Sequence, residues 1–520
     1  MSPAWRWSAI ALTGLGLVLR LMFPGEPAAH PSSASLVLEG ETYQSAAFPL
    51  PTTTPLTVAL LRGSIALLPS WIGLTALATV LGLLAAVVAY VFVRQAAGNP
   101  GALAAAALFW LGPLLVARDA AGALLSGCTL AALLIAWGLH RVASHRPAAP
   151  PLLAGAALAG SLDLALALAL LPVVLVQAVR SRRGRGVGIA AAVLLLAPGI
   201  LSWLVAGPSE AGRALLAWSR IGLFRGSFAD VGTLALIAST SRLAEAVVFA
   251  FGLAGLLPIL EAARRAMGAS GPIGIRWPGG AWWVAPPLFA ALALSDGVDR
   301  TPFWAMLLAA LGVTAAPVLV RLLVEPGRGW RRATAVLLAA TAAVPFCLPE
   351  CPVSIPWRWD TRNAPGRLHA ALAAQEASAA VPLLADIAAF PPAAVALRDR
   401  LVFRWQPGSS LEERPLLGSL GGRLDWHGTI PIPPRITSIV FVQSRASAPP
   451  VPFELLEPGL LLRTRALEAA LLPIDLLERF PGAPSLAFGM PPVRSDGAGP
   501  TIPIRIGPLR DTRDTRPSGR

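Results

Sequence analysis

Apolar runs long enough to form helices recur from the N-terminus to about residue 347, and each is closed by a short polar turn. A bilayer core about 30 Å thick needs about 20 apolar residues per helical span. By that rule spans are predicted over 5–23, 71–93, 102–116, 123–139, 188–206, 234–260, 281–294, 303–323 and 333–346. The 56–68 stretch reads as a short helix lying at the interface. The 151–179 stretch is too long for one untilted span, and Ser161 with Asp163 near its middle predicts two short helices meeting at a membrane surface. About eleven spans follow from this pattern, with the first helix retained because no small-residue cleavage site comes straight after it.

Composition removes the soluble alternatives. The 520 residues are 55% hydrophobic and 13% charged, with a mean hydropathy of +0.65, a balance that a soluble domain cannot carry on its surface. The net charge of +14 comes entirely from arginine, since the chain has no lysine. Such a charge on a soluble protein suggests nucleic acid. Here the arginines sit in turns between apolar runs, so they read as topology anchors and no nucleic-acid partner is expected. With the N-terminus inside, the Arg-dense turns 94–100, 140–150, 180–187, 261–279 and 324–332 all fall on the cytoplasmic face. The opposite face then holds the 24–55 loop, Asp119, Asp163, the 207–230 loop, Asp296 and Asp299.

Beyond the last span the texture changes. From Pro352 the apolar runs shorten, prolines multiply, and alternating segments such as 398–405 and 435–443 have strand length. The expected organisation is a mainly α, polytopic transmembrane bundle over 1–347, N-in and C-out. An extracytoplasmic α/β or β-rich domain over 348–495 and a frayed tail over 496–520 follow. Cys347 and Cys351 flank a Leu-Pro-Glu turn and are a candidate disulfide if that turn is extracytoplasmic. A zinc site there is the weaker alternative, since no second Cys or His pair has ligand spacing. The five histidines are scattered and read as structural.

Candidate chemistry concentrates in the first polar interval, LVLEGETYQSAAFPLPTTTP, where Glu39 and Glu41 flank Gly40 and precede Tyr43. A diacidic loop just outside a first helix that ends in Arg-Leu, a Pro-Leu interfacial helix, and many later spans ending in an outer domain resemble the GT-C membrane glycosyltransferases. The likeness is greatest to the polyprenyl-phosphate-sugar branch, the protein mannosyltransferase and aminoarabinose transferase type. Pro113, Leu114, Leu115, Arg118 and Asp119 take the places of that family's Pro-Leu-Leu and small charged loop. The chain departs from the family at Asp163, where many relatives carry a basic residue, and at Thr54-Pro55-Leu56, a reduced form of the usual Pro-Pro-Leu.

The resemblance implies transfer of a sugar from a polyprenyl phosphate to a lipid, glycan or protein acceptor, at a bacterial inner membrane. Such transfer needs a base that takes the acceptor's proton, and Glu41 is the candidate. Glu39 is placed to orient it, to bind acceptor, or to help hold a divalent cation through oxygen ligands. Arg213, Arg220, Arg225 and Arg242 are candidates for the leaving phosphate, which arginine's planar fork suits. Tyr43, Asp119 and Asp163 are candidates for acceptor contact or orientation. Against each stands a plainer reading: solvated loop acids, headgroup anchors, and a helix-junction carboxylate. The competing class is a catalytically degenerate member serving as a scaffold or lipid-binding subunit, with a transporter behind it because no internal repeat is visible.

Overall fold

The computed structural model describes residues 3–22, 54–67, 70–120, 124–144, 146–180, 184–206, 248, 250–257, 301–324, 329–348, 354–374, 383–386, 402–405, 429–432, 438–445, 453–465, 467–473 and 485–488. The described residues fall into two compact units, the first ending at Pro356 and the second beginning at Trp357. The first is helical. Its longer described helices are α1 (Pro3–Leu17), α2 (Pro55–Leu67), α3 (Ser70–Leu111), α4 (Pro113–Ala120), α5 (Leu125–Ala143), α6 (Ala149–Leu162), α7 (Leu164–Arg180), α8 (Arg185–Ala206), α9 (Thr301–Val324) and α10 (Gly329–Thr341).

Four stretches, Thr75–Gln95, Leu125–Val142, Arg185–Ser202 and Ala305–Leu322, are long and apolar enough to cross a membrane. Shorter apolar helices accompany them at Trp7–Leu21, Ala97–Leu111, Ala149–Leu162 and Leu166–Val176. The unit is a helical bundle of membrane type. Large side chains such as Leu204 and Val205 of α8 and Val87 of α3 stand exposed on it, which hydrocarbon tolerates and water penalises.

Sequence pattern and structure agree at two breaks. In α3 the helix is interrupted at Gly98, whose φ of 71° favours glycine, and Pro100 follows. Ala86 packs against Ala106 and Trp110 across that bend. The expected turn at 94–100 therefore exists, and α3 is two antiparallel halves. The expected split of 151–179 falls at Asp163, which is extended (φ −153°, ψ 128°) between α6 and α7. The 102–116 span differs: it ends early, at Gly112, where an added Cβ would stand 2.6 Å from the Leu108 carbonyl and 2.7 Å from that of Ala250. Pro113 then starts the short helix α4. The expected spans at 234–260 and 281–294 lie largely outside the described residues.

Small residues let the helices of the bundle approach closely. A Cβ on Gly160 of α6 would collide with the Leu195 carbonyl oxygen of α8 and stand 2.6 Å from that of Leu194. Because the obstacles are backbone, α6 and α8 must separate to admit a methyl group. Gly160→Ala is expected to destabilise by about 3 kcal/mol, the upper end of ordinary overpacking. Gly14→Ala, with nothing within 4 Å of the new Cβ, should be neutral or slightly stabilising. Apparent melting temperatures of the two purified variants in detergent check the contrast.

In the second unit α11 (Ile355–Ala374) precedes seven short strands, β1 (Leu383–Asp386), β2 (Val402–Trp405), β3 (Thr429–Ile432), β4 (Ser438–Ser444), β5 (Leu460–Arg463), β6 (Leu467–Pro473) and β7 (Ser485–Phe488). Five form a mixed sheet in the order β2-β1-β4-β6-β5, and β3 pairs with β7. Strand β1 runs parallel to β2 and β4, while β6 is antiparallel to β4 and β5. Ile439, Val440, Phe441 and Val442 of β4 are all fully buried. An unbroken apolar run of this kind marks a strand covered on both faces.

Candidate functional site

The last turn of the first helix widens into a π-helical segment, Val18–Met22, a distortion often found at functional positions. It carries Arg20, which is wholly buried. Arg20 Nε donates to Asp119 Oδ2 at 3.0 Å, and Nη1 donates to the Trp110 carbonyl at 2.6 Å. The guanidinium also lies 4.2 Å from the centroid of the Trp110 ring, within range of a cation–π contact. Asp119, equally buried, accepts from Ser126 Oγ at 2.5 Å and from the Ser126 N–H at 3.3 Å.

Four elements therefore meet at one ion pair: the π-turn, α3 through Trp110, α4 through Asp119 and α5 through Ser126. Trp110 is itself fixed, its Nε1 donating to the Leu12 carbonyl at 3.0 Å. Gly16 faces it without a side chain, since a Cβ there would collide with the indole. Gly82 plays the same part for the carboxylate: a Cβ on it would stand 3.0 Å from Asp119 Oδ2 and 3.4 Å from Arg20 Nε. Arg20 Nη2 and Thr79 Oγ1 are buried with no hydrogen-bond partner among the described residues. Thr79 lies three residues before Gly82 and so shares its face of α3. With the guanidinium bonded to Asp119 Oδ2, a cation at that oxygen would meet like charge.

A second polar joint sits at the α6–α7 break. Thr54 N donates to the Leu162 carbonyl at 3.2 Å. Thr54 Oγ1 donates to the Ser161 carbonyl, and Thr57 Oγ1 donates to that of Ser161 at 2.9 Å and that of Leu162 at 3.3 Å. Asp163 Oδ1 accepts from the Leu166 N–H at 2.9 Å, capping α7. A helix break inside a membrane-type bundle frees carbonyls that lipid cannot satisfy, and the threonines satisfy them. Thr54→Val with Thr57→Val should cost about 2–3 kcal/mol, since it leaves buried carbonyls underbonded. The apparent melting temperature reports it, and Thr57→Ser should recover most of the loss at that position.

Of the sequence-predicted residues, Asp119 and Asp163 are placed, in two different joints. Arg20 and Thr54 flank the diacidic stretch in sequence. Glu39, Glu41, Tyr43, Arg213, Arg220, Arg225, Arg242 and Cys351 lie outside the described residues, and Cys347 is exposed. Sequence reasoning missed Arg20 as a site residue, having read it only as a span end; a lone arginine within an apolar run was the available signal. Among the described residues no group of three or more His, Cys, Asp or Glu side chains is placed to hold a metal ion.

The solved structures give the comparison. The chain is similar to ArnT. The ArnT of Cupriavidus metallidurans, solved bound to undecaprenyl phosphate, is 15% identical over 91% of this chain and 98% of its own, with a TM-score of 0.47; its apo form gives 0.48. The archaeal oligosaccharyltransferase AglB of Archaeoglobus fulgidus, in complex with an inhibitory peptide and a dolichol-phosphate, is 15% identical over 72% of this chain and 58% of its own, with a TM-score of 0.39. No protein-family model matches the sequence, and no curated protein matches it.

Proposed function

We propose that the chain is a multi-pass membrane glycosyltransferase that moves a sugar from a polyprenyl-phosphate donor to an extracytoplasmic lipid, glycan or protein acceptor, in a bacterial inner membrane. The sequence resemblance supplies the reaction class. The observation that carries the reading in the structure is the Arg20–Asp119 pair. A charge pair inside an apolar bundle is costly to desolvate, and ionisable groups retained at such depth mark function by default. An unpaired guanidinium N–H beside it adds to that cost unless a polar atom of an incoming molecule completes it.

In this reading Glu41 takes the acceptor's proton as the anomeric carbon is attacked. Glu39 orients Glu41, binds acceptor or helps hold a divalent cation. Arg213, Arg220, Arg225 and Arg242 supply charge to the departing phosphate. Tyr43, Asp119 and Asp163 contact or orient the acceptor. The 1–347 region is then the catalytic membrane domain, and 348–495 an extracytoplasmic domain that contributes to acceptor choice.

One observation favours the second reading, a non-catalytic scaffold. Both placed acids are engaged within the protein, Asp119 by Arg20 and Ser126 and Asp163 by the Leu166 N–H, as joints of a framework would be. Incubating the purified protein with a polyprenyl-phosphate sugar separates the two. Release of free polyprenyl phosphate, by transfer or by hydrolysis, is the expected result. Saturable binding of the lipid with no turnover would give the scaffold reading instead.

A further inference from the structure

One outer face of α3 changes character along its length. Val80, Leu84 and Val87 stand exposed in a single stripe, at the four- and three-residue spacing that repeats one side of a helix. Two turns further on, the same stripe ends in Arg94, which is exposed. The next residue, Gln95, joins α3 to α5: its Oε1 accepts from Trp137 Nε1 at 3.3 Å. The Trp137 ring in turn carries Arg141, whose guanidinium lies 5.4 Å from the ring centroid, within cation–π range.

Arg141 sits in the last turn of α5, where arginine commonly bonds the final helix carbonyls. Here backbone donors already serve them: the Ser144 N–H donates to the His140 carbonyl at 3.0 Å, and the Arg146 N–H to that of Arg141 at 2.9 Å. Among the described residues the side chains of Arg94, Arg141 and Arg146 make no hydrogen bond or ion pair. Arg141 Nε is shielded from solvent without a partner, so Nη1 and Nη2 form the open end of the guanidinium. Between residues 70 and 209 the sequence holds two carboxylates, Asp119 and Asp163. Asp119 faces Gly82, thirteen residues before Gln95 and so about 20 Å away along α3. Asp163 caps α7. Neither acid meets the positive charge at this end of α3 and α5, where the ring and the Gln95 bond hold one guanidinium in place.

An apolar strip that ends in fixed guanidiniums complements a phospholipid, with tail along the strip and phosphate at its end. A topology anchor wetted by solvent needs neither the ring against Arg141 nor the bond that steadies it. We propose that Arg94 and Arg141, with Trp137 as platform, form a seat for an anionic phospholipid, its phosphodiester at the guanidiniums and an acyl chain along Val87, Leu84 and Val80. The seat does not depend on the glycosyl-transfer reading.

The test uses the full chain in a neutral detergent, titrated with phosphatidylglycerol or phosphatidylcholine and read by native mass spectrometry. Phosphatidylglycerol should bind about tenfold or more tightly than phosphatidylcholine, and Arg94→Gln with Arg141→Gln should erase that preference. Trp137→Leu keeps every charge and removes the platform, and should weaken phosphatidylglycerol binding about threefold. Equal binding of the two lipids by the native chain, or an undiminished preference in the Gln pair, overturns the seat. Unchanged binding in Trp137→Leu overturns it too, since diffuse attraction has no need of the ring. If the Gln pair fails to fold, Arg94→Gln alone, at an exposed position, should lower phosphatidylglycerol affinity about threefold; no change there is equally fatal. Inorganic phosphate at the lipid's own concentration should leave the bound lipid in place. Displacement by it would assign the guanidiniums to a soluble phosphate and overturn the lipid.

Discussion

Arg20→Met is expected to destabilise the helical unit by about 3–5 kcal/mol, because it strands the Asp119 carboxylate among apolar helices with only Ser126 to bond it. The loss should appear as a lower apparent melting temperature and a lower yield of detergent-extracted protein. The informative comparison is the double substitution Arg20→Met with Asp119→Leu. Removing both charges together is often neutral or stabilising, so the double variant should recover most of the stability lost by the single one. An Arg20→Met protein as stable as the native chain would mean that the pair does not form.

The same double variant separates two roles for the pair. If it only fastens the π-turn to α3, α4 and α5, recovered folding brings recovered sugar transfer. If the unpaired Arg20 Nη2 or the Asp119 carboxylate serves an incoming molecule, folding returns and transfer does not. Gly82→Ala is a milder probe of the same point. Its methyl would press on Asp119 Oδ2 and Arg20 Nε, shifting the pair without removing either charge.

Much of the helical architecture was legible because its breaks are written in local chemistry. Gly98 followed by Pro100 cannot continue a helix, and Ser161 with Asp163 in the middle of an apolar run marks a junction with little else to signify. The ion pair was not legible, since Arg20 and Asp119 are separated by the diacidic loop, α2 and all of α3. Arg20 looked locally like the end of a span, and Asp119 like a loop acid available to an acceptor. Pairing is a tertiary fact, and no periodicity encodes it. Helix α11 was missed for a different reason: its sequence, IPWRWDTRNAPGRLHAALAA, is polar on average and has Pro365-Gly366 inside, so neither hydrophobic pattern nor propensity announces it. Strand β4 was visible as RITSIVFVQ, but its burial on both faces was not, because alternation cannot distinguish a half-covered strand from a central one.

Glu41→Gln is expected to reduce sugar transfer by about 10²- to 10⁴-fold, the usual contribution of a positioned base, with expression and membrane insertion unchanged. The substitution is close to isosteric and lies in a polar interval, so it removes a proton acceptor and little else. Glu39→Gln is the control for position: if Glu39 orients the base or binds acceptor, its loss should raise KM or lower kcat by a smaller factor. A pH profile adds a test that a structural role would not pass. If Glu41 is the base, the native chain's transfer rate should fall on the acid side, and the residual rate of Glu41→Gln should lose that limb. Unchanged transfer in Glu41→Gln would remove Glu41 as the base, and transfer reduced equally by Glu39→Gln would make the pair, through a shared cation or shared proton, the functional unit. Because donor binding does not require the base, retained affinity for polyprenyl phosphate in the inactive variant would place the lesion in the chemical step rather than in assembly of the site.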